Sequence, residues 1–320
     1  MQKNKIKHML NFKDYSSEEI RKIIEKAIEI KRNPERYYEI LKNKTLIMLF
    51  QKTSTRTRLS FEAAMTQLGG HAIFLDWRTT QFRIAEFIDE IRAVMRFGDI
   101  LMFRALKHEL LEEAVKFASI PIINGLCNKY HPCQALGDML TIVEELGGNV
   151  DSVKGRKLVY LGIANNVSNS LVEVCTKLGM RITLCTPEKD KDAYDADLEA
   201  RARATGLYEE TTDLNCLSDA DFVYTDTWIN MEFFDEKGNV VPEFREEFER
   251  RKRMLMPYQL NLELLKRYGS RAKIMHDMPM HVGYEISRDA IESENSIIFK
   301  QAENRLHIQK SIILFLLGKI

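Results

Sequence analysis

The chain has 320 residues, enough for two domains with separate cores. Its 47 basic and 47 acidic residues cancel, which removes the electrostatic case for a nucleic-acid or anionic-membrane partner. No apolar run reaches membrane-spanning length, and the five cysteines (Cys127, Cys133, Cys175, Cys185, Cys216) form no Cys-x-x-Cys pair, so free thiols in a cytoplasmic protein without structural zinc are expected.

The segment Met1 to His8 is basic but lacks a long apolar stretch or cleavage site, so no signal peptide is expected. Ile20, Ile23, Ile24, Ala27 and Ile28 recur at helical spacing and predict a helix over 15–41, with Ser16-Ser17-Glu18-Glu19 as its capped start. Thr45 to Phe50 is an unbroken apolar run that reads as a buried strand. Phe61, Ala64, Met65 and Leu68 then mark a helix that Gly69-Gly70 stops.

The turn between that strand and helix holds Ser54-Thr55-Arg56-Thr57-Arg58. A helix N-terminus carries partial positive charge and prefers acidic neighbours, yet two arginines and three hydroxyls crowd this one. Their donors, with the free backbone N–H groups, suit an anion, and a phosphate best. The competing reading is a plain helix cap with both arginines in solvent. There is no Gly-x-x-x-x-Gly-Lys pattern, so this is not a nucleoside-triphosphate loop.

A second strand is expected at 71–75, a polar loop at 77–82, a helix over 84–97 and a strand at 99–103 that exits at Arg104. Another strand at 120–124 leads to His131-Pro132-Cys133-Gln134, which opens a helix over 135–146. Taken singly, Arg104 reads equally as a surface residue and His131 as a cap or core residue. Together, three successive strand exits carry polar donors, and in a parallel sheet such exits share one edge.

Gly147-Gly148-Asn149 ends the helix over 135–146, 152–157 is a polar hinge and the domain boundary falls near 147–155, after which the strand–helix rhythm restarts: strand 158–162, the Asn165-Asn166 turn, a helix through Leu178 and a strand at 180–186. Gly162 without further glycines is not a dinucleotide fingerprint. A strand at 220–225 ends at Asp226, which reads either as a partner for an ammonium or as a cap for the next turn. Residues 228–253 read as a loop followed by a charged helix, 257–268 as a helix, 272–276 as the last strand with Asp277-Met278-Pro279 at its exit, and 296–317 as a long apolar-faced helix.

Ser-Thr-Arg-Thr-Arg before Ser60-Phe61-Glu62, Phe103-Arg104, His131-Pro132-Cys133-Gln134, Asp226-Thr227-Trp228-Ile229-Asn230-Met231 and Gln301-Ala302-Glu303-Asn304-Arg305 together resemble the aspartate and ornithine carbamoyltransferase family, most closely its ornithine branch. The resemblance covers nearly the whole chain. It implies an α/β fold of two doubly wound parallel-sheet domains: 1–148, joined by a returning C-terminal helix at about 300–320, and 149–299, with the active site between them. It implies transfer of the carbamoyl group of carbamoyl phosphate to an amine, no metal or organic cofactor, and a homotrimer in which a loop of residues 71–90 enters a neighbouring site, Gln81 being the candidate to cross. Ser54, Thr55, Arg56 and Thr57 would hold the phosphate, with Arg58 instead bracing the domain. Arg104, His131, Gln134 and Thr57 would surround the carbamoyl group with Arg305 assisting at its oxygen, and Asn165, Asn166, Asp226, Asn230, Met231, Asp277 and Met278 the amine substrate.

The sequence departs from the family at two places. Asn230 stands where the family has Ser, and Asp277-Met278-Pro279 where it has Cys-Leu-Pro. A carboxylate at 277 stabilises an ammonium or serves as its base, and with Asp226 it disfavours aspartate as substrate. L-Ornithine is therefore the expected acceptor. Putrescine, a lysine-like amine or an N-acylated ornithine is the alternative, as is a catalytically silent paralogue that binds carbamoyl phosphate.

Overall fold

The computed structural model describes residues 6–229, 233, 235 and 239–320. Ser16 opens helix α1 (Ser17–Arg32) with a reciprocal cap: its side chain accepts from the Glu19 N–H, and the Glu19 carboxylate accepts from the Ser16 N–H. The apolar spacing extends this helix to 41, but α1 stops at Arg32. Asn33 precedes Pro34, whose ring disfavours helical geometry in the residue before it, and only a 3₁₀ turn, Pro34–Tyr37, follows.

The first half then runs β1 (Thr45–Phe50), α2 (Thr55–Gln67), β2 (His71–Asp76), α3 (Phe87–Val94), β3 (Ile100–Arg104), α4 (His108–Lys116), β4 (Ile122–Leu126) and α5 (Pro132–Glu145). Its four strands are parallel in the order β2-β1-β3-β4. The order reverses between β1 and β3, where Phe50 is in register with Arg104. The crevice beyond the strand ends at such a reversal is where open α/β sheets bind ligands, and it brings Ser54–Arg58 beside Arg104.

The second half comprises β5 (Lys157–Ala164), α6 (Asn166–Leu178), β6 (Arg181–Lys189), α7 (Ala196–Ala204), β7 (Tyr208–Thr211), β8 (Phe222–Thr225), α8 (Arg245–Leu255), α9 (Leu262–Arg267), β9 (Lys273–His276) and α10 (Arg288–Ile291). Its five strands are parallel in the order β7-β6-β5-β8-β9, reversing between β5 and β8. The last helix, α11 (Ile298–Leu316), packs on α5, α1 and α2 of the first half and also touches β9. Among the described residues no helix is long and apolar enough to cross a membrane.

Candidate active site

Ser54 is the N-cap of α2. Its hydroxyl accepts from the Thr57 N–H at 3.4 Å and donates to Thr57 Oγ1 at 3.1 Å, and no acidic residue sits in the first turn. Thr57 is buried, Thr55 exposed and Arg56 half-buried. Burial lowers the Arg56 pKa, and Asp277 opposes that shift. Arg58 points elsewhere: its Nε donates to Glu62 Oε1 at 2.8 Å and its guanidinium lies 3.9 Å over the Phe74 ring. One arginine of the pair faces the crevice and the other braces α2 against β2.

Arg104, at the end of β3, brings its guanidinium into the field of two others. Burial and then the charges of Arg305 and Arg56 push its pKa down to about 10. Arg305, reaching in from α11, is 4% exposed; its Nη1 donates to Gln134 Oε1, while Nε and Nη2 find no partner among the described residues. Arg104 Nε and His131 Nδ1 are likewise buried and unpartnered. His131 precedes Pro132 at the start of α5, and its backbone N–H donates to Ser170 Oγ of α6 at 2.8 Å, so the helix start is pinned to the second half. Burial, then Arg305 and Arg104, hold its imidazole well below its ordinary pKa, hence neutral. Mutually repelling guanidiniums with idle donors call for an anion with several oxygens.

The opposite wall carries acceptors. Asn165 caps α6 through Oδ1, which accepts from the N–H groups of Val167 (3.0 Å) and Ser168 (3.1 Å), leaving its Nδ2 to donate to Asp226 Oδ2 at 2.6 Å. Asp226 Oδ1 accepts from the Thr227 N–H at 2.6 Å, so this residue is both a turn cap and a charge in the crevice. Asn166 donates to the Cys127 carbonyl at 2.6 Å and ties the two halves. Asp277 Oδ1 is buried and unpartnered among the described residues. Burial, and after it the charge of and hydrogen bond to Asp226, hold the Asp277 carboxyl well above the usual range. Met278, at φ 61°, donates its N–H to His276 Nδ1 at 2.9 Å, which leaves Nε2–H to face Glu285 Oε1 at 3.2 Å. Asp226, His276 and Asp277 place ligand atoms within 4.8 Å of one another. With both ring nitrogens engaged, that cluster offers two carboxylates rather than a metal-binding triad.

Asn230 and Met231 lie outside the described residues. Gln81 sits exposed in the 3₁₀ turn Gln81–Arg83, and no hydrogen bond among the described residues links it to Arg104, His131 or Arg305. The sequence reading missed Asp138, Tyr224 and Ser170. Asp138 is fully buried and accepts from Gln134, Gln301 and Tyr224. The available signal was its place one helical turn after Gln134.

Both halves of the chain match a known protein family. Residues 7–144 match the model of the aspartate/ornithine carbamoyltransferase carbamoyl-P binding domain, and residues 154–316 that of the Asp/Orn binding domain. The chain is 40% identical over 319 residues to an ornithine carbamoyltransferase of Pyrococcus horikoshii, covering 98% of this chain and 96% of the relative. It superposes on the ornithine carbamoyltransferase structure from Pyrococcus furiosus with TM-score 0.87 at 38% identity, covering 98% of each chain. The Giardia lamblia ornithine transcarbamoylase structure gives TM-score 0.84 at 28% identity, covering 99% of this chain and 100% of that one.

Proposed function

The chain belongs to the aspartate/ornithine carbamoyltransferase family, and from that membership we propose that it transfers the carbamoyl group of carbamoyl phosphate to the side-chain amine of L-ornithine, giving citrulline and phosphate. The observation that carries this reading is the polarity of the crevice. Unpartnered donors of Arg104, His131 and Arg305 line one wall, and the unpartnered acceptor of Asp277 lies by Asp226 on the other. An anion with a reactive carbonyl meets the first wall and an ammonium the second.

In this reading Ser54, Thr55, Arg56 and Thr57 hold the phosphate. Arg104, His131, Gln134 and Arg305 surround the carbamoyl group, where donors placed before the reaction stabilise the oxyanion by about 3 kcal/mol each. Asn165, Asn166, Asp226, Asn230, Met231, Asp277 and Met278 receive the amino acid. Two adjacent carboxylates do not both ionise readily, and burial beside Asp226 makes the Asp277 carboxylate a stronger base. The pair takes a proton from the substrate ammonium, and the neutral amine attacks the carbonyl carbon. The carbon–oxygen bond to phosphate breaks, and the second amine proton leaves with the phosphate. Gln81 enters from a neighbouring subunit of a homotrimer. The domains divide at 148/149, with the helix at about 300–320 belonging to the first. The five free cysteines suit residence in the cytoplasm.

The test is phosphate release from carbamoyl phosphate against ornithine, putrescine, lysine, N-acetylornithine, aspartate and no amine. Strong release with ornithine supports the reading. Activity confined to another amine reassigns the acceptor, for which the carboxylate at 277 is the reason. Carbamoyl phosphate binding without turnover on any amine makes the protein a silent binder.

A further inference from the structure

Asp138 lies one turn after Gln134 on α5 and is wholly buried. Its Oδ1 accepts from Gln134 Nε2 and from Gln301 Nε2, both at 2.7 Å, and its Oδ2 from the Tyr224 hydroxyl at 3.1 Å. These donors come from α5, α11 and β8, so both halves of the chain meet on one carboxylate.

An ionised carboxylate only accepts. It therefore forces both glutamine amides to turn their nitrogens inward and their oxygens outward. The Gln134 oxygen faces Arg305 Nη1 in the donor wall. The Gln301 oxygen accepts from the backbone N–H of His276 at 2.9 Å, the residue before Asp277. Tyr224 lies on β8, two residues before Asp226, which follows the end of that strand. Each wall of the crevice is thus oriented through Asp138.

We propose that Asp138 is a positioning residue that, through Gln134, Gln301 and Tyr224, sets the carbamoyl wall and the amine wall of the active site in register. It rests on the carbamoyl-transfer reading above. The charged and titratable groups around Asp138 are Arg305 from α11, Tyr224 from β8, Tyr160 from β5, Cys175 from α6 and Asp277 after β9. Burial raises its pKa to about 7, against the three donors and Arg305. Protonation turns one acceptor oxygen into a donor, so the arrangement is complete above that pH and is lost as pH falls through it.

The experiment compares wild type, Asp138→Asn, Gln134→Ala and the double variant. It uses calorimetric titration with carbamoyl phosphate alone and steady-state kinetics with ornithine between pH 5.5 and 9. Asp138→Asn should weaken carbamoyl phosphate about tenfold, the loss of a hydrogen bond to a charged group, and should flatten the wild-type fall of kcat below about pH 7. In the Gln134→Ala background the same change should cost less than about threefold, because the residue acts through Gln134. Equal cost in both backgrounds, or an Asp138→Asn enzyme with the wild-type pH profile, overturns the proposal. Should Asp138→Asn fail to fold, Tyr224→Phe decides: it should raise KM for ornithine with carbamoyl phosphate affinity unchanged, and an unchanged KM overturns it. Wild type that binds no carbamoyl phosphate overturns the site reading itself, a result the variants cannot mimic.

Discussion

Replacing His131 with Leu separates what the active site needs from what the fold needs. The imidazole is 4% exposed, and its Nδ1 has no partner among the described residues. Leucine has similar volume and no donor. If His131 serves the developing oxyanion, its loss removes one preorganised donor, about 3 kcal/mol or about 100-fold in kcat. Stability should not follow, since an unsatisfied buried polar group is lost and an apolar one gained; a change near zero, or a gain of about 1 kcal/mol, is expected. Ionisation supplies a second signature. Burial, Arg305 and Arg104 hold His131 neutral in the folded protein, whereas in the unfolded chain it titrates near 6.5. Below that pH the unfolded state binds more protons, so this residue's contribution to stability falls as pH drops. The Leu variant should lose melting temperature less steeply between pH 7 and about pH 5 than wild type. Its kcat–pH profile should keep the wild-type shape, because the folded imidazole does not titrate in the working range. The assays are steady-state citrulline formation and thermal unfolding across pH. A kcat loss under about threefold, or a Leu variant whose acid limb has moved, would refute the reasoning.

Other substitutions follow from the same contacts. Arg58→Ala removes an exposed i,i+4 pair with Glu62 and a stacking contact on Phe74, together about 1 kcal/mol of stability. Its carbamoyl phosphate affinity should match wild type, whereas Arg56→Ala should abolish binding; equal losses would show that both arginines face the ligand. Asp277→Cys should still carbamoylate ornithine while Asp277→Leu should not, and an active Leu variant would remove this carboxylate from the reaction. Gly162, at φ +114°, leaves room that a Cβ would fill 2.4 Å from Trp228 Nε1, and Trp228 is only 1% exposed. Gly162→Ala should therefore cost at least about 2 kcal/mol in denaturant unfolding; an unchanged midpoint would mean that Trp228 gives way freely.

Those contacts also show why some features were legible in the sequence and others not. Strands such as Leu158–Gly162 and Asp99–Phe103 announced themselves because both faces of a parallel sheet are covered, giving unbroken apolar runs. The edge strand β7, Tyr-Glu-Glu-Thr, is only half-buried and carries charges, so no such run marks it. Arg104 and His131 were readable because three successive strand exits carry polar donors, a recurrence that points to a ligand where each residue alone is ambiguous. Asp138 had no comparable mark. It is an acidic residue inside a helix, which ordinarily means a solvated face. It is buried only because Gln301 and Tyr224, 163 and 86 residues away, arrive on it. That convergence belongs to the tertiary structure.

The two walls are also coupled by charge. Asp277 raises the proton affinity of Arg56, Arg104 and Arg305, and by the symmetry of the Coulomb interaction those cations favour ionised Asp277. An anion bound on the donor wall supplies negative charge to the arginines and cancels their pull on the carboxyl. In the proposed reaction Asp277 would then become more basic when the carbamoyl donor is in place, which is when the amine must lose its proton. A cysteine at this position would feel the same field through its thiolate, but it would form no carboxylate pair with Asp226. The replacement therefore changes how the proton is held while leaving in place the electrostatic link between filling one wall and activating the other.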